Sequence, residues 1–406
     1  VRSRGLGDVY KRQIHRALTY NKDLKIASAR MNELAALKRI DFANMFPQAT
    51  ARLNGNRETT NYGGDNFDAD PELSLTASIS WELDLWGNLR WARDHSTAEF
   101  LASVENCRAV KMGLVAQVAQ SYFELMALDN ELAIVRRTLE ARREGVRLAE
   151  IRFKGGLTSE IVFQQAKVEL AKTATMVPDL ERRISLKESE IALLTGDFPY
   201  AVNRNVLPEE IQLPDALPLG LPSTLLERRP DIRKAERELM AAHAEVGLAY
   251  TNMFPRLALT ATLGAESETL RDLLKSPYSY LAGNLLSPLF AMGKNRAALK
   301  AKRAAYEGAV AEYEKTVLTA FKETHDAIIN FNKIKDIYES RRQLAEASRT
   351  AVELAQLQYI NGVIGYLDLL DAQRNYFDAQ VSLSNAVCDK QLMIINLYKA
   401  LGGGWK

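Results

Sequence analysis

Four histidines, two cysteines and a scatter of serines and carboxylates are the residues that could do covalent or metal chemistry here, and their spacing favours neither. His15, His95, His243 and His325 lie far apart, form no HExxH motif and have no cysteine neighbour, so no metal site is expected. No serine sits in a GxSxG elbow, and adjacent acids such as Glu209-Glu210 are those of a solvated helix or loop. Gly155-Gly156 invites a phosphate-loop reading, but neither GxxxxGKS nor GxxxxGKT follows, and a helix C-cap explains the pair better. The run Arg228-Arg229-Pro230-Asp231-Ile232-Arg233 reads as a helix start, with proline inside the first turn and an acid on the positive end of the helix dipole. The reading is therefore a non-enzyme without cofactor or metal. One charged cluster survives. Leu367, Asp371 and Arg374 fall at i, i+4 and i+7 on one helix face, just past the link Asn361-Gly362-Val363-Ile364-Gly365, where symmetry copies of that helix could converge.

Such a cluster acts only where the fold carries it, and the fold is written twice. Asn44-Met45-Phe46-Pro47 returns 208 residues later as Asn252-Met253-Phe254-Pro255. Leu85-Trp86-Gly87-Asn88 is answered by Ala291-Met292-Gly293-Lys294, and Phe153-Lys154-Gly155-Gly156-Leu157 by Tyr359-Ile360-Asn361-Gly362-Val363, both 206 residues on. Three matches in one order at nearly constant offset mark an internal duplication. Each half opens on strands. Leu73, Leu75, Ala77, Ile79, Trp81, Leu83 and Leu85 alternate with Ser74, Thr76, Ser78, Ser80, Glu82 and Asp84. Shorter alternations surround Ala49, Ala51 and Leu53 and, in the second half, Leu257, Leu259, Ala261 and Leu263; residues 280–290 supply a fourth, least regular strand. Polar links at 54–71 and 264–277 join them as hairpins. Alternation by itself suits a soluble sheet resting on a core. Here Ser and Thr line the inner face with nothing to pack on, whereas about 9–11 tilted residues suffice to cross a bilayer. Trp81, Trp86 and Tyr280 lie toward strand ends, where an interfacial aromatic girdle would place them. Four strands cannot close a barrel, so closure requires other copies.

After Gly87 and Gly293 the period turns helical for about 60 residues, roughly 90 Å of helix. The stripe Val104, Cys107, Val110, Leu114, Val118, Tyr122, Leu125, Leu128, Leu132, Val135 and Leu139 advances by threes and fours, as in a coiled coil. Val310, Tyr313, Val317, Phe321, Ile328, Phe331, Ile334 and Tyr338 repeat it. Each long helix ends at a glycine-containing link and returns through a second helix of about 35 residues, with Thr158 or Ser159 a suitable N-cap. Composition agrees with a folded protein: of 406 residues 47% are hydrophobic and 26% charged, which excludes a disordered chain and a polytopic helical membrane protein. A net charge of +2 gives no field to recruit nucleic acid. The most apolar window, 281–292, is broken by Gly283, Asn284, Ser287 and Pro288, so any membrane crossing is by strands. Cys107 and Cys388 read as small packing residues. Residues 1–13 match nothing downstream and carry no secretory signal, so they are read as foreign to the repeat, with helical pattern starting near Ile14.

These parts together resemble the TolC-like outer-membrane efflux factors, in the branch whose members often carry an N-terminal lipid. The resemblance runs from about Ile14 to the C-terminus. It rests on Leu226-Glu227-Arg228-Arg229-Pro230-Asp231-Ile232 with Ala235-Glu236, on Asn252-Met253-Phe254-Pro255, on Leu369-Leu370-Asp371-Ala372-Gln373-Arg374, and on the ending Leu397-Tyr398-Lys399-Ala400-Leu401-Gly402-Gly403-Gly404-Trp405. It implies a mainly α protein with transmembrane β-strands: a homotrimer whose four strands per copy complete a twelve-stranded barrel in outer-membrane lipid, continued by a long α-helical barrel across the periplasm. It further implies a mixed equatorial region and passive conduction of substrates outward. A periplasmic adaptor protein and an inner-membrane pump would be the partners. The family's gate maps onto Leu367, Asp371 and Arg374, and its adaptor-contacting tips onto Gly155, Gly156, Leu157 and Thr158 and onto Asn361, Gly362 and Val363. Neither Cys107 nor Cys388 could serve as a lipid-bearing cysteine, so the sequence neither supplies nor excludes an acyl anchor. The expected organisation is an unmatched segment at 1–13 and two repeats. The first, 14–205, has strands at about 48–86 and a helical hairpin at about 88–195; the second, 206–406, has strands at about 256–291 and a hairpin at about 294–401. The rival reading is a soluble coiled-coil scaffold or periplasmic adaptor, which accounts for the heptads and not for the strands.

Overall fold

The computed structural model describes residues 6–60, 68–204, 227–288 and 290–403. Helices α1 (Leu6–Tyr20) and α2 (Lys22–Ala43) lead into strands β1 (Gln48–Thr60) and β2 (Asp68–Leu83), then into a helical hairpin of α3 (Asn88–Lys154) and α4 (Glu160–Thr195). The order then recurs. Helix α5 (Pro230–Thr251) precedes β3 (Arg256–Ser267), a 3-10 turn at Leu273–Lys275 and β4 (Pro277–Leu286), and α6 (Lys294–Ile360) and α7 (Tyr366–Ala400) close the chain. Both long helices have 67 residues. Helix α1 begins at Leu6 and not near Ile14, because residues 8–13 contain neither glycine nor proline to interrupt a helix.

Strand boundaries depart from the sequence pattern for local reasons. Leu85 continues the alternation but lies outside β2, because Asp84 turns the chain: its carboxylate accepts the amide protons of Leu89 at 3.0 Å and Arg90 at 3.1 Å and so caps the start of α3. The polar residues expected to form a loop after Asn54 instead continue both strands, pairing from Asn54–Ser74 out to Thr60–Asp68; residues 61–67 lie outside the described part. The fourth strand runs 277–286 rather than 280–290. Pro277 opens it, and Pro288, without an amide proton, stands just beyond its end.

Contacts divide the chain into two units. One comprises Ser28–Asn106 and Asp231–Thr316 and holds the sheet, ordered β1-β2-β3-β4 and antiparallel throughout. Register puts Leu53, Leu75, Ile79, Trp81, Leu259, Leu263, Leu281 and Leu285 on one face and Thr50, Arg52, Ser74, Thr76, Ser78, Ser80, Thr260 and Thr262 on the other. The apolar face is exposed along all four strands, while on the polar face the Ser78 and Thr262 hydroxyls meet at 3.0 Å.

The other unit comprises Val1–Ala27, Cys107–Pro230 and Val317–Lys406. Its main seam packs Tyr122, Leu125, Met126, Leu132 and Val135 of α3 on Leu180, Ile184 and Ile191 of α4, with Val202 against them. Each such side chain contributes about 1.5–3 kcal/mol by leaving water. Along α6 and α7 the seam is thinner: Ala327 and Phe331 meet Leu397 and Ala400, and farther on Ala355 and Tyr359 meet Leu369. Helix α1 docks beside α4 through Asn21, whose Oδ1 accepts the Leu24 amide proton at 2.9 Å and whose Nδ2 donates to the Leu194 carbonyl at 3.0 Å. Gly196 ends α4 with φ 75°, and a Cβ there would lie 2.4 Å from the Tyr20 carbonyl oxygen. Gly156 has a similar φ of 70° in open space. Gly156→Ala should therefore cost about 1 kcal/mol in backbone strain alone, and Gly196→Ala about 1–3 kcal/mol more for the overlap. Thermal unfolding followed by helical circular dichroism in detergent checks the ranking; equal melting shifts for the two variants would contradict it.

Candidate functional site

Both hairpin tips are helix ends of one design. At the first, the Leu157 amide donates to the Arg152 carbonyl at 2.8 Å and the Gly156 amide to Phe153 at 2.9 Å; at the second, Val363 donates to Gln358 at 2.9 Å and Gly362 to Tyr359 at 3.1 Å. Gly156 and Gly362 adopt the left-handed conformation, with φ 70° and 73°. This is the Schellman arrangement, in which a left-handed residue lets the chain fold back and satisfy the last carbonyls. Gly155, Asn361 and Gly362 are exposed, as are the apolar Leu157 and Val363; Thr158 is half-buried. Ser159 stands at the N-cap of α4 without a side-chain hydrogen bond, so neither serine nor threonine caps it as the sequence suggested. At the second tip the Gly365 amide donates to the Asp368 carboxylate at 3.0 Å.

Just beyond that tip, Leu367, Asp371 and Arg374 share an exposed face of α7, with Leu369 and Leu370 buried behind them. The structure does not join Asp371 to Arg374. Asp371 accepts a hydrogen bond from the Asn375 amide at 3.2 Å, while the Arg374 guanidinium reaches α4 and donates to Glu169 through Nη2 and, at 3.1 Å, through Nε. Glu169 is itself gripped from α3: Arg142 Nη1 lies 2.7 Å from its second oxygen. Three helices thus meet on one carboxylate. The Glu169 and Arg142 side chains are only 5% and 7% exposed, so two charges are held out of water on the strength of each other and of Arg374. The hydrogen bond from Arg374 holds the Glu169 carboxyl below its ordinary range against the opposing effect of burial. Arg142, Glu169, Tyr359, Tyr366 and Gln373 line a cavity of about 240 Å³ here, and burial pushes the Tyr366 hydroxyl up.

Sequence reasoning passed over Glu169 and Arg142, although each left a trace. Ala166, Glu169, Thr173, Leu180 and Ile184 form the buried stripe of α4, so Glu169 is a lone carboxylate at a core position. Arg142 follows Leu139 by three residues on the apolar stripe of α3. A charge placed in phase with a core stripe is the detectable signal.

The other chemistry-bearing residues serve packing. Arg229 is buried and ties the end of α7 down: Nη1 donates to the Ala400 carbonyl at 3.2 Å and Nη2 to Glu323 at 2.6 Å. His243 lies between the rings of Trp91 and Tyr306, and a ring nitrogen of His95 sits 3.2 Å from the Ala241 carbonyl. His15 and His325 are exposed. Burial pushes the Cys388 thiol up to about 12. Among the described residues no group of three or more His, Cys, Asp or Glu could hold a metal ion, and no helix is long and apolar enough to cross a membrane.

Known proteins share this architecture along nearly the whole chain. The profile of the outer membrane efflux protein family matches residues 13–197 and 221–403. The solvent efflux pump outer membrane protein SrpC of Pseudomonas putida is 33% identical over 403 residues, covering 97% of this chain and 85% of SrpC. The structure of the outer-membrane channel OprN, 30% identical, superposes with a TM-score of 0.91 over 98% of this chain and 90% of that one. The Campylobacter jejuni CmeC outer membrane channel, 26% identical, gives 0.93 over 98% and 86%. The chain therefore belongs to the outer membrane efflux protein family: it is an efflux channel of the outer membrane.

Proposed function

We propose that three copies assemble, that their strands close one twelve-stranded barrel in outer-membrane lipid, and that their helices form a conduit through the periplasm. The observation that supports this most is the sheet: an apolar face exposed on every strand and, among the described strands, no partner for the outer edges of β1 and β4. In hydrocarbon each unpaired backbone group costs several kcal/mol, so only a closed ring of strands is tolerated. The conduit is passive. An inner-membrane pump and a periplasmic adaptor supply cargo and energy, and the adaptor meets the tips at Gly155, Gly156, Leu157, Thr158, Asn361, Gly362 and Val363.

Leu367, Asp371 and Arg374 form the gate, one apolar and two charged rings contributed by α7 of each copy. Glu169 acts on it as a positioning residue. By holding Arg374 to α4 it keeps α7 from splaying away from the α3–α4 hairpin beside it, so opening must break or carry along this link.

Solution mass is the first test: light scattering in detergent should give three times 45.4 kDa of protein, and a single-copy mass would sink the assembly. In planar bilayers, Asp371→Ala combined with Arg374→Ala should raise conductance several-fold, and an unchanged value would remove these residues from the gate. Arg374→Met leaves the Arg142–Glu169 pair intact, so it should raise open probability while costing under about 1 kcal/mol of stability, as expected for a half-exposed partner. Glu169→Gln should open the channel too but also cost about 3–5 kcal/mol, because it strands the buried Arg142. Acid should act in the same direction. A carboxyl whose value is lowered in the folded state keeps its link fully above the ordinary carboxylate range and loses it as pH falls through the lowered value. Conductance should thus be flat above about pH 5 and rise only well below it.

A further inference from the structure

The duplicated chain contains one complete junction between a strand end and the next strand's lead-in, and the separated halves of a second. In the complete junction, α5 leads into β3 through Tyr250 and Phe254, whose rings meet edge to face at 5.3 Å. Trp86, just past β2, stacks on Phe254 at 5.0 Å and donates its indole N–H to the Pro255 carbonyl at 2.8 Å. Asn88 adds amide hydrogen bonds to Thr251 Oγ1 at 2.9 Å and Asn252 Oδ1 at 3.1 Å.

Both parts recur at the repeat offsets. Phe42 and Phe46, 208 residues before Tyr250 and Phe254, form the same edge-to-face pair at 5.1 Å ahead of β1. Met292 and Lys294, 206 residues after Trp86 and Asn88, follow β4 around an equivalent turn: Gly87 and Gly293 have φ 81° and 78°, and their carbonyls accept from Trp91 at 2.9 Å and Ala297 at 3.0 Å. Met292 is 86% exposed and has a left-handed φ of 45°. Phe42, Phe46 and Phe290 are also exposed. Within one copy the two parts cannot meet, because β1 and β4 are opposite edges with β2 and β3 between them.

We infer that Met292 of one copy closes over the Phe42–Phe46 pair of the neighbouring copy, repeating between subunits the clasp that Trp86 makes within one. A thioether against aromatic rings is a favourable replacement for the stacked indole, and Lys294 stands ready to donate to the Asn44 side chain where Asn88 donates to Asn252. The same offsets fix the strand register. They already relate the two intramolecular hairpins, since Ala49–Ile79 becomes Leu257–Leu285. Applied to the β2–β3 ladder, they turn Ser80–Thr260, Ile79–Ala261 and Ser78–Thr262 into Leu286–Arg52, Leu285–Leu53 and Asn284–Asn54 across the subunit boundary. Leu285 and Leu53 then continue the apolar face. Asn284 and Asn54 stand where the Ser78–Thr262 hydrogen bond stands, as two amides able to bond each other. The contact is head-to-tail, the kind that closes a ring.

This inference rests on the trimer reading, and its test separates the two. The double variant Asn284→Cys, Asn54→Cys, oxidised in intact outer membranes, should run as covalently linked dimers and trimers, at least fivefold more than either single variant. If Asn284→Cys links better to Arg52→Cys or Asn56→Cys, the register is overturned. Met292→Ala should lower the temperature at which the detergent-solubilised trimer dissociates and leave the helical circular dichroism unchanged; an unaltered dissociation temperature would overturn the clasp. A single-copy mass in detergent would fail the trimer reading itself, whereas a trimer whose 284–54 pair stays unlinked would fail this junction alone.

Discussion

Among the described strands, the amide and carbonyl groups along the outer edges of β1 and β4 meet no partner strand, and that is the constraint on which the rest turns. Strands with one apolar and one polar face are at home between lipid and water, yet an open edge in hydrocarbon is not. Neither edge can be satisfied by lengthening a helix or burying a side chain. It can be satisfied only by another strand, and the duplication has already made the right kind: β3 meets β2 on terms that β1 can offer to β4. The proposed copy number and conduit follow from closing that ladder.

Much of this was legible in the sequence because it is periodic. Alternation over 73–85, three repeated tetrad-like matches and the long stripes of α3 and α6 each reflect a geometric period, and geometry of that sort survives in one dimension. What was not legible depends on single events. Leu85 keeps the alternation but leaves the sheet because one carboxylate, Asp84, caps a helix behind it. The polar stretch after Asn54 looks like a loop and is strand, since strand pairing does not require apolar residues where neither face packs on a core. The cluster proposed as the gate was found by spacing on α7. Its true partner, Glu169, lies 205 positions away on another helix, and only the tertiary fold shows that Arg374 prefers it to the adjacent Asp371.

Duplication also left the halves unequal in instructive ways. The equivalent of Trp81, whose indole bonds the Met45 carbonyl, is Ser287, and the equivalent of Trp86 is Met292. Of these two, Trp86 is the one that closes the junction between β2 and the lead-in of β3 inside a single chain, and its counterpart Met292 lies exposed after β4.

The long helices carry a number of charges in pairs three or four residues apart: Arg143 with Glu140, Arg147 with Glu144, Lys154 with Glu150, Arg182 with Asp179, Arg342 with Glu339, and Arg349 with Glu353. Individually such exposed pairs add little to stability. Collectively they make the helix surface a mosaic of small dipoles rather than a sheet of one sign, and the potential of a dipole dies away faster with distance than that of a lone ion. A molecule passing such a pair therefore feels a weaker field than one passing a lone charge. Along those stretches, then, the helix surface discriminates less by charge than the same residues would if each stood alone.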